Sequence, residues 1–333
     1  MDFTAKIKNT IDRYQLFSPG DRVIVAVSGG PDSVTLLHVL NKFRSLLGLQ
    51  LHMAHVNHNL RQTSGRDERF VHALAQKFNL PFHSASVHIS RSKTKSSIEE
   101  LAREARLNFL IQCAKRQKAD CIALGHTQDD LAETILMRIL RGTGLLGLKA
   151  IEPKKKMEGM LFIRPLLCIT RREIESFVRA HKIKFCIDPT NQSTKFFRNK
   201  IRHELLPLLK KDYNNNIKEC LANFSRTAAA DYEFIEQQAR QAYPKVIRQN
   251  HKKEITVDLK KLNKLHASLK RLILRFAIDQ LIGNTRRLTF PHIEHIENLT
   301  RTPSTNGIVD LPGAIRVQKI KNTLTFLSKS LIK

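Results

Sequence analysis

Val23-Ile24-Val25-Ala26-Val27 runs directly into Ser28-Gly29-Gly30-Pro31-Asp32-Ser33, an almost continuous apolar stretch that turns through two glycines into a segment of helical pattern. Such a run, with no polar alternation, reads as a strand covered on both faces of a parallel sheet. Where that strand turns sharply into a helix, backbone N–H groups are left without partners and the helix dipole favours negative charge. Ser28 and Ser33 add hydroxyl donors. The lysine of GxxxxGK[ST] is missing and the glycines do not follow GxGxxG, so neither a Walker A loop nor a dinucleotide fingerprint is present. Asp32 is the unusual residue. A carboxylate facing a phosphate site is repulsive unless a divalent cation lies between, which points to Mg²⁺ with ATP or pyrophosphate. Any one of these residues would suit an ordinary turn with an Asp or Ser cap. The whole hexapeptide at a strand–helix junction asks for more.

On either side the pattern repeats. Leu49 to Val56, Phe82 to Val87 and Asp120 to Leu124 read as further strands at intervals of about 30 residues, the length of a βα unit. Between them Ser33 to Leu47, Asp67 to Phe78 and Ser97 to Lys115 carry apolar residues at helical spacing, and a fourth helix is expected from Asp129 to Arg141. Gly142 to Gly147 and Lys154-Lys155-Lys156 read as a glycine-rich turn and an exposed basic loop. Phe162 to Pro165 reads as a last strand, Arg171 to His181 as a helix, and Phe196 to Leu209 as another that Pro207 ends or kinks. Tyr213-Asn214-Asn215-Asn216 is the best linker. Residues 217–300 read as mostly helical, with Ile217 to Ala242 and Ala267 to Ile282 the clearest segments. Three short strands follow, Gly307 to Asp310, Ala314 to Val317 and Thr323 to Leu327, the first two joined by a Pro312-Gly313 turn. The expected fold class is α/β: a parallel-sheet catalytic domain over 1–214, then a region over 215–333 that is helical and ends in a small α+β domain.

With 333 residues the chain is long enough for two cores, and 41% hydrophobic residues exclude disorder. Lys and Arg number 57 against 30 Asp and Glu, a net charge of +27 that calls for a polyanionic partner, nucleic acid first. Residues 1–150 hold 21 basic and 13 acidic side chains, net +8, while 151–333 hold 36 and 17, net +19. A membrane surface is the weaker match: no window approaches 18 uninterrupted apolar residues, and Arg275 and Asp279 break even Arg271 to Leu281. The charged N-terminus lacks the apolar core of a signal peptide, which suggests a cytoplasmic location. Cys113, Cys121, Cys168, Cys186 and Cys220 are odd in number and form no CxxC pair, which suggests packing residues in a reducing compartment.

The SGGxDS loop resembles that of the N-type ATP pyrophosphatases (PP-loop enzymes, adenine nucleotide alpha hydrolase-like in fold), which adenylate an oxygen and then displace AMP. GMP synthetases, argininosuccinate synthetases and tRNA thiolation enzymes share it, so the loop alone leaves the acceptor open. Four downstream segments narrow the resemblance. His55-Val56-Asn57-His58-Asn59-Leu60-Arg61 is similar to the HVNHxLR segment of the tRNA(Ile)-lysidine synthase family. Glu100-Leu-Ala-Arg103-Glu-Ala-Arg106 is similar to its basic helix, with Leu107 where an aromatic usually follows. Gly125-His126-Thr127-Gln128-Asp129-Asp130, with Glu133 and Thr134, matches GHxxDDxxET. Ile163-Arg164-Pro165-Leu166-Leu167, Thr170-Arg171, Asp188-Pro189-Thr190-Asn191 and Phe197-Arg198-Asn199-Lys200-Ile201-Arg202 match RPLL…DxTN…FxRNxIR. Read without the family, the His-x-x-His pair suits a structural role, Arg103 and Arg106 a solvated face, and Asp129 and Asp130 an acidic helix N-terminus.

The resemblance covers about residues 20–210. It implies ATP-dependent ligation of L-lysine to C2 of the wobble cytidine in the CAU anticodon of tRNA(Ile), through an adenylated base. It implies ATP binding by Ser28, Gly29, Gly30, Pro31, Asp32, Ser33 and His126, Mg²⁺ on Asp32 and Asp130, and lysine held by Asp130 and Glu133. Asp32, Arg106, Asp130 and Arg198 are the implied catalytic set, with Lys195, Arg198 and Arg202 on the tRNA and the basic C-terminal region over 215–333 as the tRNA-binding part. The rivals are another adenylating tRNA-modifying enzyme, thiolating or amidating, and a basic RNA-binding protein without catalysis. Retained carboxylates in the groove speak against the second. The oligomeric state is left open, a dimer included.

Overall fold

The β-branched run of 23–27 does become a central strand. In the computed structural model, which describes residues 2–57, 64–87, 98–186, 196–251, 253–283, 285, 288–302, 304 and 306–328, β1 (Arg22–Ala26) pairs in parallel with β2 (Gln50–Asn57) and with β4 (Cys121–Ala123). Val23 and Val25 enter one core and Ile24 the other, all fully buried, which is why no polar residue interrupts them. One core is roofed by α1 (Phe3–Tyr14), α2 (Pro31–Phe43) and α3 (Ser64–Lys77), with Ile7, Leu36 and Val71 among its members. Beyond β3 (Phe82–Ser86), parallel to β2, α4 (Ile98–Arg116) covers the other face with Leu110 and Ile111.

After β4 come α5 (Gln128–Leu140), α6 (Leu145–Leu148) and a hairpin of β5 (Lys154–Met157) and β6 (Met160–Ile163). The sheet order is β3-β2-β1-β4-β6-β5, with β6 parallel to β4. Strand order reverses between β1 and β4, so their carboxyl ends open a crevice. The triple lysine expected in a loop is instead the antiparallel edge strand β5, turned by Glu158 and Gly159 at φ 49° and 81°. Two adjacent positive-φ residues suit a tight hairpin, and exposed lysines on an edge discourage pairing with other chains.

Then α7 (Arg171–Ala180) packs on the first core, and a helical run begins at α8 (Phe197–Lys200). Pro207 neither ends nor breaks it. The run passes through wide, π-type turns at Ile201–Leu205 and Leu209–Tyr213 around the short α9 (Leu206–Leu208). Proline lacks an N–H and collides with the carbonyl four residues back; an i→i+5 register relieves both.

The described residues divide into units Met1–Arg226 and Thr227–Lys333. The division falls inside α10 (Ile217–Val246) rather than at the Asn-rich turn near 214, because Leu221 and Ala222 are buried with Leu131, Ile135 and Ile201 of the first unit. In the second unit two segments expected to be helical, β7 (Ile247–His251) and β8 (Glu254–Asp258), pair as antiparallel strands. The β-branched triplet Ile255-Thr256-Val257 favours the extended chain. After α11 (Leu259–Asn263), α12 (Ala267–Ile282) and α13 (Phe290–Arg301) come β9 (Asn306–Leu311), β10 (Ile315–Ile320) and β11 (Thr323–Ser328). They complete an antiparallel sheet of order β7-β8-β11-β10-β9. Cys113 and Cys121 pack inside as expected, whereas Cys220 is exposed. Among the described residues no helix is long and apolar enough to cross a membrane.

Candidate active site

The loop from β1 to α2 is tied together by its two serines. The Ser28 N–H donates to Ser33 Oγ at 3.1 Å, the two hydroxyls lie 3.1 Å apart, and Ser33 Oγ donates to the Gly30 carbonyl at 3.0 Å. Gly29 has φ 91°, which a side chain would strain, and Pro31 opens the helix where its missing N–H is no loss. Cys186 donates its N–H to the Gly29 carbonyl at 2.9 Å. At the end of β4, Gly125 lies so close to α2 that a Cβ there would stand 3.1 Å from the Asp32 carbonyl oxygen and 3.2 Å from Ser33 Cα. The glycine lets the two strand–helix junctions meet.

Asp32 Oδ2 accepts from Arg171 Nη1 at 2.7 Å, while Oδ1 is buried with no partner. Burial pushes its carboxyl up to about 6 against the pull of Arg171, and the nearby Asp130 adds to the rise. Among the described residues no three His, Cys, Asp or Glu side chains converge as a metal cage. One orphaned carboxylate oxygen beside a phosphate loop still fits Mg²⁺, which binds through one or two carboxylates and substrate phosphates.

Thr127 caps α5, and Asp130 closes the box: Oδ2 accepts from the Thr127 N–H at 2.8 Å and Oγ1 at 2.9 Å, fixing the side chain at the helix start. Its Oδ1 accepts from Arg198 Nη2 at 2.8 Å. Burial would raise the Asp130 carboxyl, but Arg198, His126 and the Thr127 donors outweigh it and hold the group below the usual carboxylate range. Glu133, one turn on and 1% exposed, takes Arg198 Nε at 2.7 Å on Oε2 and Arg202 Nε at 2.6 Å on Oε1. A buried carboxylate is tolerated when its charge is answered this completely. Expected to meet an incoming cationic amino acid, Glu133 is engaged by arginines on both oxygens.

His126 follows Gly125 at the strand end with Nδ1 buried and unpartnered. Burial pushes its imidazolium down to about 3, assisted by Arg164, Arg106 and Arg198 and opposed by Asp130, so a neutral ring faces the crevice at pH 7. Arg106, on α4, is open to solvent at the lip yet crowded by protein and by Arg103 and Arg198, which lower its guanidinium from the ordinary value.

The crevice thus brings together Ser28, Gly29, Gly30, Pro31, Asp32, Ser33, Arg106, His126, Asp130, Glu133 and Arg198 on the β1–α2, β4–α5, α4 and α8 elements. Arg202, expected on the RNA-facing strip, turns to Glu133. Lys195, the DPTN segment at 188–191 and His58 to Arg61 lie outside the described residues. Sequence reasoning missed Arg171 as a partner of Asp32. Thr170 and Glu173 form a capping box that sets Arg171 at the helix start, and the Arg171 N–H donates to Asp129 Oδ2 at 2.8 Å, while Lys218 of α10 binds the other oxygen of Asp129. The Thr-x-x-Glu spacing was visible in the sequence, but the partner 139 residues away was not.

Comparison with known proteins bears on the same residues. A family model described as a PP-loop domain matches residues 1–209. The chain is similar to a tRNA(Ile)-lysidine synthase from Clostridioides difficile (strain 630), 33% identical over 330 residues, covering 98% of this chain and 71% of the relative. Another from Geobacter sulfurreducens is 35% identical, covering 96% and 68%. One from Geobacillus kaustophilus is 33% identical, covering 94% and 68%. Among solved structures, the U34-tRNA thiolase NcsA from Methanococcus maripaludis with its [4Fe-4S] cluster superposes with a TM-score of 0.59 at 19% identity, over 68% of this chain and 77% of that one. That likeness concerns the fold alone.

Proposed function

Since the chain belongs to the tRNA(Ile)-lysidine synthase family of PP-loop proteins, we propose that its crevice joins L-lysine to C2 of the wobble cytidine in the CAU anticodon of tRNA(Ile), using ATP. The observation that carries the reading is the meeting of the serine–glycine loop, the half-orphaned Asp32 and the arginine-matched pair Asp130 and Glu133 at one sheet edge. The reaction has two displacements. Cytidine O2 attacks the α-phosphate and pyrophosphate leaves; the lysine ε-amine then attacks C2, loses a proton, and AMP departs.

The Ser28–Ser33 loop and the first N–H groups of α2, which lack acceptors within the helix, suit the ATP phosphates. Asp32 would hold Mg²⁺, which when bound neutralises phosphate charge. Asp130 has Oδ2 committed to Thr127, so it suits the lysine ammonium through the Oδ1 edge it shares with Arg198 better than it suits metal. Glu133 fixes Arg198 and Arg202, and lysine would reach it only by exchange with one of them. Arg106 and Arg198 would steady charge on the adenylated base, and the neutral His126 can hydrogen-bond the nucleotide without adding charge. The cytidine must leave its stack to reach this crevice. ATP, tRNA and free lysine meet in the cytoplasm, where we place the reaction.

Incubation of the chain with ATP, labelled lysine and total bacterial tRNA should yield labelled lysidine on digestion. Pyrophosphate release stimulated by sulfide or ammonia, but not by lysine, would point to the thiolating or amidating rival.

A further inference from the structure

Beside the crevice, at the corner where α5 ends and α6 begins, the surface is unusually apolar for a basic protein. Leu140, Leu145 and Leu146 are exposed, as are Phe196 and Phe197 at the start of α8. Phe197 lies under the Arg141 guanidinium, 5.4 Å from its ring centroid, and is still 42% exposed. Its neighbour Arg198 reaches the opposite way into the acid pair. The same short helix therefore carries a catalytic-site arginine inward and an aromatic ring outward.

Arg198 is also one of a group of neighbouring cations. Burial lowers the guanidinium of Arg106 most, with Arg103 and Arg198 adding to it, and burial followed by Arg103 lowers that of Arg138, so these cations also repel one another. Arg138 anchors the corner by donating to the Gly147 carbonyl. Mutually repelling arginines beside an open aromatic ring are complementary to one class of occupant: an RNA loop, with phosphates for the cations and an unstacked base for the ring.

We propose that the Phe197–Arg141 pair is a stacking platform for the base next to the reacting cytidine, holding the splayed loop while the cytidine enters the crevice. The inference rests on the RNA-modifying reading above. Phe197 touches a base that does not react, so it is a positioning residue.

The test uses the full chain and a synthetic CAU anticodon stem-loop in which the A following the cytidine is 2-aminopurine. Binding to the unaltered protein should change the probe's fluorescence, and Phe197→Leu, which keeps an apolar side chain, should abolish that change. In the same variant KM for the stem-loop should rise about tenfold, the equivalent of about 1.4 kcal/mol of stacking, with kcat and the KM values for ATP and lysine unchanged. Phe197→Trp should restore both readouts. Wild-type fluorescence and KM in Phe197→Leu would overturn the proposal. So would an equal fall in kcat, which would make the ring a prop for Arg198, or a shift in sedimentation, which would make the patch a contact between copies of the chain. If the unaltered protein changes the fluorescence but forms no lysidine, the functional reading fails and the platform stands.

Discussion

Drawn at the structural division, the two units differ less in charge than the halves of the sequence do, and far more in where the charge is spent. Residues 1–226 hold 38 basic and 21 acidic side chains, net +17; residues 227–333 hold 19 and 9, net +10. In the first unit, arginines and a lysine from α7, α8, α10 and the π-type turn at 201–205 converge on the carboxylates of α2 and α5 across long stretches of chain. In the second, Arg248–Asp258 and Arg316–Asp310 join residues of neighbouring strands close in sequence, and Arg271–Glu297 ties α12 to α13. One unit uses charge to assemble a site from distant segments, the other to brace local elements. We propose that both units share the grip on the polyanion, the first through its net +17 and the C-terminal region through its +10.

The largest effect that separates the two uses of charge is ionic strength. With six or more phosphates neutralised, tRNA affinity should fall by about a thousandfold or more between 50 and 200 mM salt, while ATP affinity in the absence of RNA changes far less. Filter binding and nucleotide titration across that range measure both, and a flat tRNA curve would sink the electrostatic grip. Next comes Asp32→Asn, which removes the charge beside the phosphate loop; lysidine formation should drop by about two to three orders of magnitude. A near-normal rate would remove Asp32 from the machinery. Gly125→Ala should cost about tenfold in rate with the fold retained, because its Cβ must push the β4–α5 junction away from the backbone of α2; circular dichroism and initial rates distinguish misplacement from unfolding.

The smallest effect concerns stability, and its sign is unusual. The Asp32 carboxyl is raised to about 6 from an ordinary 3.8, so the folded protein takes up that proton more readily than the unfolded chain. Its ionised form therefore weakens the fold above pH 6, and the penalty fades as pH falls toward 4. Asp32→Asn should be the more stable protein at pH 7 by about 2 kcal/mol, with the gap cut to about half at pH 5 and nearly closed by pH 4, while wild-type kcat/KM falls about tenfold per pH unit below 6. Denaturant melts at these pH values check it. A variant less stable than wild type at pH 7 would mean that the Arg171 contact outweighs burial.

What the sequence made legible follows the range of the interactions. The parallel strands and the helix caps are local, and the buried run at 23–27 and the Thr127–Asp130 box are readable from neighbours alone. The paired strands β7 and β8 escaped because they are short and lie between helices, so β-branched Ile255 to Val257 had too little context. Lys154 to Lys156 look like a loop because an edge strand needs no apolar alternation on its open side. The site was legible as a set of residues but not as a set of pairs. Nothing in the residues around Arg202 shows that it faces Glu133, or that Arg171 spends one donor on Asp32, since those meetings depend on tertiary closure.

The division inside α10 bears on how the gene for this protein can be cut. A fragment ending at the Asn-rich turn would drop Lys218, leaving Asp129 without its cation, and would leave vacant the space that Leu221 and Ala222 fill against α5. A fragment ending at 226 keeps all three. The opening turns of the helix are in that sense the last piece of the catalytic unit, so dissection at the apparent linker would report on a damaged active site.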